Sequence, residues 1–210
     1  MSAGCCHEPK FDGMSQGFRR ALIVVIAINA TMFLVEMTAG ALAGSQALQA
    51  DALDFLGDTL TYGISLLVLG RSLQVRSTAA LFKGLSLAAM GLWVFGSTAY
   101  QVLVLGVPSA GIMGVVGILA LAANLVSVLV LVGYKDGDAN VRSVWLCSRN
   151  DAIGNVAVMV AAGGVYLTAT AWPDLIVAGL MASLFLRSST QIIRQAIEER
   201  RHAATHAAVG

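Results

Sequence analysis

The hydrophobic residues of this chain gather into long runs that are separated by short polar links. A hydrocarbon core of about 30 Å requires about 20 helical residues, so each run of that length is a candidate membrane-spanning helix. Six runs fit, and the last, whose apolar part is short, is extended to about residue 190. They cover residues 21–43, 47–69, 79–105, 112–132, 144–171 and 175–186. The pattern predicts an all-α polytopic membrane protein with six transmembrane helices.

The two ends of the chain are polar and short. Residues 1–17 lack the apolar segment and cleavage site of a secretory signal, so we predict a cytoplasmic tail there. The six helices would form one membrane domain over residues 18–190, followed by a short cytoplasmic tail over residues 191–210. This arrangement leaves no room for a second folded domain.

Composition agrees with this prediction. Hydrophobic residues make up 57% of the chain and charged residues 12%, and the mean hydropathy is +0.78. These values lie outside the range of soluble proteins and indicate a multi-pass membrane protein, for which the cell membrane is the expected location.

Basic residues are distributed asymmetrically between the links. All 13 Lys and Arg residues precede the first predicted helix or lie beside the links after the second, fourth and sixth. By the positive-inside rule, both termini are predicted to be cytoplasmic. No basic stripe remains beyond this pattern and the net charge is only +1, so nucleic acid is not an expected partner.

Five acidic residues fall at membrane depth, namely Glu36, Asp51, Asp54, Asp58 and Asp151. An ionisable side chain there costs at least about 2.5 kcal/mol, which favours a functional role. The alternative for a lone acid is structural: it caps a neighbouring helix or binds a Ser across an interface.

Spacing selects two pairs. Asp54 and Asp58 are four residues apart on the second helix, and Cys147 and Asp151 are four apart on the fifth, so each pair shares one helix face. At 1.5 Å per residue, both pairs lie near the midplane of the membrane. We therefore predict that they enclose one four-coordinate metal ion, although Cys147 by itself could be a small buried hydrophobic residue.

The charge of this ligand set suggests proton exchange. Three carboxylates and a thiolate carry about four negative charges against a divalent cation, so protons are expected to replace the metal when it leaves. The segment that contains Cys5, Cys6 and His7 is a candidate for accessory metal capture, or else a flexible tail with incidental thiols. The spacing of the cysteines and their reducing compartment exclude a disulfide framework.

Several segments resemble the cation diffusion facilitator (cation efflux) family. Residues 29–36 (NATMFLVE) and 44–58 (GSQALQADALDFLGD) resemble its first two helices. The sequences ANLVS at 123–127, NVRS at 140–143 and CSRNDAIGN at 147–155 resemble its fourth helix, the start of its fifth and its second metal motif. The resemblance extends over about residues 18–190.

The resemblance implies a six-helix transporter that exports Zn²⁺ or a similar ion from the cytoplasm in exchange for protons. It implies metal ligands at Asp54, Asp58, Cys147 and Asp151. Many members have His at the position of Cys147, and a thiolate favours Zn²⁺ or Cd²⁺ over Mg²⁺, Ca²⁺ or Mn²⁺. The divalent ion is the transported substrate, and no cofactor is expected.

Two further expectations follow from the family. Glu36 and Asp51 match positions outside its ligand set, where support, a proton path or plain helix packing are the alternatives. Family members are usually homodimers, and many carry a soluble domain after the sixth helix. Because only about 20 residues follow here, we expect a short form that dimerises through its membrane helices.

Two other functions compete with transport. One is a transport-inactive metal-binding subunit or sensor. The other is an intramembrane aspartyl protease, since Gly57-Asp58 resembles part of that motif, but a Tyr-Asp partner and a Gly-x-Gly-Asp sequence are absent. The chain is therefore not expected to be an enzyme.

Overall fold

The chain folds into a bundle of α-helices. The computed structural model describes residues 16–68, 73–104, 106–134 and 139–209, with side chains given from Asp151 onward in the fifth helix and up to Glu198 in the sixth. The helices are α1 (Gln16–Ala43), α2 (Gln46–Val68), α3 (Leu73–Val104), α4 (Ala110–Leu131), α5 (Ala139–Thr168) and α6 (Trp172–Val209), with a short 3₁₀ helix at Val132–Tyr134. The predicted all-α class is confirmed for the described residues.

Five helices are long and apolar enough to cross a membrane. These spans are Gln16–Ala43, Ser77–Val104, Ala110–Tyr134, Asp151–Thr168 and Trp172–Glu198. The sixth predicted helix, which had the shortest apolar run, is therefore among them. The chain is a multi-pass membrane protein.

The helix α2 does not belong to this apolar set. It has 23 residues, which corresponds to about 34 Å at 1.5 Å per residue. Every stretch of 18 residues within it contains Asp51, Asp54 and Asp58. The acids that the sequence analysis predicts to be functional thus lower the hydropathy of α2, and its passage through the membrane stays a prediction.

Consecutive helices run in opposite directions because the links between them are short. Asp174 at the start of α6 contacts Ser45 before α2, and the Ser109 amide before α4 donates to the Ala43 carbonyl at the end of α1, at 2.9 Å. We call this the capped end of the bundle. The terminal end is the opposite one, where α1 begins and α6 finishes.

The turn between α1 and α2 is tight. Gly44 has a φ of +68°, a left-handed conformation that glycine adopts without the steric cost of a Cβ atom. Ser45 then accepts a hydrogen bond from the Leu48 amide at 3.0 Å, as an N-cap residue does. This geometry fixes the start of α2, which carries Asp51, Asp54 and Asp58.

The largest cluster of buried apolar side chains lies toward the capped end. It includes Ala47, Leu48, Met113, Val165 and Ala178, contributed by α2, α4, α5 and α6. Large apolar side chains such as Leu42, Leu103 and Leu167 point outward instead, as suits a surface in contact with lipid. Packed apolar side chains therefore fill the interior of the capped end.

The most extensive helix contact joins α3 and α6. Small residues permit it: a Cβ atom added at Gly91 would lie 3.0 Å from Cγ of Leu186, and one at Gly84 would lie 2.7 Å from Cγ1 of Ile193. Close approach at small residues is typical of helix packing in membranes. This pair of helices forms one wall of the cavity described below.

Candidate metal site

Three of the four predicted ligands meet inside the bundle. Asp54 and Asp58 on α2 and Asp151 on α5 line one small pocket, together with Asp51, Phe55 and Asn124. The spacing of four residues turns Asp54 and Asp58 toward the same neighbour, as the sequence predicts. The pocket thus joins α2, α4 and α5 in the middle of the bundle.

The carboxyl groups in this pocket contact one another. Asp54 and Asp58 both lie within hydrogen-bonding contact of Asp151. Such a bond between two carboxyl groups requires that one of them carries a proton, because an ionised carboxylate only accepts. Among the residues that the structure describes, no three His, Cys, Asp or Glu side chains are arranged around a point that would hold a metal ion. The three carboxyl groups therefore lie close enough together to share protons.

Asp58 is also held by two neutral side chains. The Asn29 amide on α1 donates to Asp58 Oδ2 at 3.4 Å, and the Tyr62 hydroxyl hydrogen-bonds to the same carboxyl group. Both neighbours are buried. Sequence reasoning missed them, although signals existed: Tyr62 follows Asp58 by four residues, and Asn29 is a polar residue within an apolar run.

A cavity of about 530 Å³ connects this pocket with the terminal end of the bundle. Asp54, Asp58 and Asp151 form its inner wall, whereas Lys83 and Gln191 lie nearer the terminal end. Lys83 Nζ donates to Ser65 Oγ at 2.9 Å and so links α3 with α2. Since the apolar cluster closes the capped end, the acids are accessible from one side.

Glu36 and Asp51 lie next to the pocket. Their relative exposures are 0% and 2%, and their carboxyl groups face each other across the contact between α1 and α2. The structure therefore places both residues beside Asp54 and Asp58, but it does not test a role in support or in a proton path.

Asp174 fits the structural alternative for a lone buried acid. Its carboxyl group accepts hydrogen bonds from Ser45 Oγ at 2.6 Å, from the Gln46 amide at 2.8 Å and from the Ala47 amide at 3.1 Å. It thereby caps α2 and binds a serine across a helix interface. Asp174 was not among the candidates from the sequence, because its partners are remote along the chain.

Four candidate ligands fall where the structure gives no side chains. Cys147 belongs to α5, one helical turn before Asp151, but its side chain lies outside the described residues. Cys5, Cys6 and His7 lie outside the described residues altogether. Metal binding by these residues stays a prediction.

The chemistry of the described site follows from its donors. Carboxylate oxygens bind either a divalent cation or protons, and the two compete for the same lone pairs. A pocket of this kind at the inner wall of a cavity can therefore exchange one for the other.

Comparison with known proteins agrees with this geometry. Residues 22–199 match the cation efflux transmembrane domain. The chain is 28% identical over 219 residues to the metal cation efflux system protein CzcD of Cupriavidus metallidurans. The matched region covers 95% of this chain and 67% of that protein. It is 28% identical over 193 residues to the zinc transporter ZitB of Escherichia coli. This match covers 86% of this chain and 62% of that protein.

The chain thus spans about two thirds of the length of these relatives. The matched region includes α2 to α5 in full, and with them the three acids of the pocket. The matched family consists of transporters and not of enzymes, so the expectation that the chain is not an enzyme is confirmed. The chain belongs to the cation efflux family.

Proposed function

We propose that this chain exports a divalent transition-metal cation such as Zn²⁺, Cd²⁺ or Co²⁺ from the cytoplasm in exchange for protons. The proposed ligands are Asp54 and Asp58 on α2 and Cys147 and Asp151 on α5. The terminal end of the bundle faces the cytoplasm in this proposal, because the basic residues of the sequence lie on that side.

One observation carries the proposal. Asp54, Asp58 and Asp151 come from two helices, lie in one pocket and form the inner wall of a cavity that opens toward the terminal end. A cation arriving through this cavity meets all three carboxyls together. Three acids inside an apolar bundle favour a functional role over a structural one, because each ionised carboxyl costs free energy in a membrane.

The contacts between carboxyls support the exchange of protons for metal. Asp151 lies in contact with Asp54 and with Asp58, an arrangement that favours a proton on one carboxyl of each pair. A divalent cation that binds between them displaces those protons. Binding of the metal and release of the protons are then coupled, because both compete for the same carboxylate oxygens.

The choice of metal rests on Cys147. A thiolate beside three carboxylates favours Zn²⁺ and Cd²⁺ over harder cations. The names of the relatives point the same way, since ZitB is called a zinc transporter and CzcD a metal cation efflux system protein. The Cys5, Cys6 and His7 segment would capture thiophilic ions before they reach the cavity.

The wider organisation is part of the same proposal. Residues 18–190 form the transport domain in the cell membrane, flanked by short cytoplasmic tails, and two copies associate through their membrane helices. The runner-up is a metal-binding subunit or sensor without transport activity. The closed capped end beside an accessible cavity is compatible with both, and only a flux measurement separates them.

The test uses purified protein in proteoliposomes that contain a pH-sensitive dye. Adding Zn²⁺, Cd²⁺, Co²⁺, Fe²⁺ or Mn²⁺ in turn should give proton flux for the thiophilic ions. Asp58→Ala and Asp151→Ala should abolish that flux, whereas Glu198→Ala, a change at an exposed acid of α6, should leave it unchanged. Undiminished flux in either site variant contradicts the proposed site, and metal binding without flux in the unaltered chain favours the sensor.

A further inference from the structure

The buried acids of this bundle have very different surroundings. Asp174 is 1% exposed, and its oxygens accept three hydrogen bonds of 2.6 to 3.1 Å. Buried carboxyls with a structural role are satisfied by donors in this way. Asp174 therefore provides an internal standard for judging the others.

Glu36 and Asp51 do not meet this standard. No amide, hydroxyl or amine among the described residues donates to either oxygen of Glu36 or to Oδ2 of Asp51, whose only contact of this kind is with each other. The two carboxyl groups face each other, and Glu36 is fully buried. Beyond this mutual contact their oxygens lack partners, in a place where an unsatisfied polar group is costly, and a cation that displaces the shared proton would be bound by both groups. Helix packing alone does not explain such a pair.

The pair is adjacent to the proposed transport site, on its far side from the cavity. Asp51 lines the same small pocket as Asp54 and Asp58 but not the cavity that leads to the terminal end. It precedes Asp54 by three residues, which places it about 4.5 Å along α2 toward the capped end. An ion that leaves the transport site in that direction reaches Asp51 and Glu36 next.

A third unsatisfied side chain lies in the same direction. Asn155 is 0% exposed, and neither its amide nitrogen nor its amide oxygen has a hydrogen-bond partner among the described residues. It follows Asp151 by four residues, so it lies about 6 Å along α5 toward the capped end, on the face that carries Asp151. Its amide oxygen is an uncharged ligand that can coordinate a cation.

We propose that Glu36 and Asp51 form a second divalent-cation site, on the exit side of the transport site, with Asn155 on the same side as a further oxygen donor. The proposal rests on the transport function proposed above. Two carboxylates balance the charge of one divalent cation. A site of oxygen ligands binds a thiophilic ion less strongly than one that includes a thiolate, so it favours release.

The test is equilibrium binding of Cd²⁺ to the full chain in detergent, with Cd²⁺ bound per chain as the readout. Glu36→Gln keeps the size of the side chain and removes its charge, and it should lower the number of bound Cd²⁺ ions by one. Glu198→Gln makes the same change at an exposed position and should leave the number unaltered. The comparison uses the difference in bound Cd²⁺ between variants. Cd²⁺ that binds at other positions contributes equally to each variant and does not affect this difference.

A ¹¹³Cd NMR spectrum of the same samples identifies the ligands. The second site should give a resonance typical of oxygen ligation, which Glu36→Gln removes while a resonance shifted by sulfur ligation remains. Asp51→Asn should repeat the result and serves in place of Glu36→Gln if that variant elutes as an aggregate in size-exclusion chromatography.

One outcome overturns the proposal, namely an unchanged number of bound Cd²⁺ ions in both variants of the pair. If metal-driven proton flux falls in the same variants, Glu36 and Asp51 are assigned to proton transfer alone. Asp58→Asn separates this result from a failure of the transport site, because it should remove a different Cd²⁺ ion. If Asp58→Asn has no effect on binding or flux, the proposed function fails independently.

Discussion

Individual carboxyl groups in this bundle differ by what surrounds them. Asp58 is contacted by Asn29, Tyr62 and Asp151, whereas Asp174 binds a hydroxyl group and two backbone amides at the start of α2. A carboxyl among other carboxyls and neutral side chains can exchange its proton for a cation. A carboxylate whose oxygens already accept hydrogen bonds from backbone amides keeps its charge and its position. The same residue type therefore supports either chemistry or structure, depending on its donors.

Asp174→Ala should destabilise the protein. The substitution leaves the Gln46 and Ala47 amides and the Ser45 hydroxyl buried without their acceptor, at about 1 to 3 kcal/mol for each donor left unsatisfied. Thermal denaturation in detergent, followed by circular dichroism, should show a Tm lower by at least about 5 °C.

Asp174→Asn keeps one acceptor oxygen and should fall between the unaltered chain and Asp174→Ala. Glu198→Ala removes an exposed acid from the same helix and should leave the Tm unchanged. Equal melting of Asp174→Ala and Glu198→Ala would mean that the cap contributes nothing measurable.

Local spacing explains which of these side chains the sequence could reveal. Asp54 and Asp58 were predictable as a pair because helical geometry relates residues four positions apart. Extending the same period by one turn would have added Tyr62. The contact of Asn29 with Asp58 spans 29 positions and that of Ser45 with Asp174 spans 129, so both depend on tertiary packing that no local pattern encodes.

At the level of helices, hydropathy predicted the number of elements better than their ends. All six predicted runs correspond to helices, but α6 continues to Val209 beyond its apolar part and α5 begins at Ala139, before its predicted start at residue 144. Hydrophobic residues mark the part of a helix that lies in the membrane. Backbone hydrogen bonds can continue the helix into water, so the apolar run sets a minimum length.

The contact between α3 and α6 gives a prediction for a single glycine. Gly91→Leu should weaken this contact, because its first added atom would already lie 3.0 Å from Leu186 Cγ and 3.1 Å from Phe185 Cβ. Overpacking of this kind costs about 1 to 3 kcal/mol. Thermal melting in detergent should therefore show a lower Tm.

Gly96→Leu is the matched control on the same helix. Gly96 is exposed, and no atom lies within 4 Å of a Cβ built there. Both variants gain about 1 kcal/mol of helix propensity, so the difference between them reports the contact alone. A Tm for Gly91→Leu equal to that of Gly96→Leu would contradict close packing of α3 on α6.

The whole bundle is asymmetric along its axis. At the terminal end, a cavity of about 530 Å³ reaches the acids of the pocket. At the capped end, the apolar cluster and the Asp174 hydrogen bonds close the interior. A transporter needs one closed end at any moment, and in this conformation the capped end is closed. The Glu36 and Asp51 pair lies between the pocket and that closed end.

This asymmetry predicts which positions react with a thiol reagent. In a Cys5→Ser, Cys6→Ser background, Ser188→Cys places a thiol on the cavity wall, and Ala178→Cys places one in the apolar cluster on the same helix. A membrane-impermeant maleimide should label Ser188→Cys at least about tenfold faster than Ala178→Cys, because charged reagents enter an open cavity and not a packed apolar core. Mass spectrometry distinguishes both sites from Cys147, which is common to the two variants.

The side of the membrane from which labelling occurs adds orientation to the same measurement. If both termini are cytoplasmic, as proposed, Ser188→Cys should react in inside-out vesicles and stay protected in intact cells. Reaction only in intact cells would mean that the cavity opens to the outside of the cell. That result would contradict the proposed orientation and the proposed direction of transport. Equal rates at positions 178 and 188 from either side would show that the closed capped end does not persist in the membrane, where the bundle would then interconvert between conformations faster than the reagent reacts.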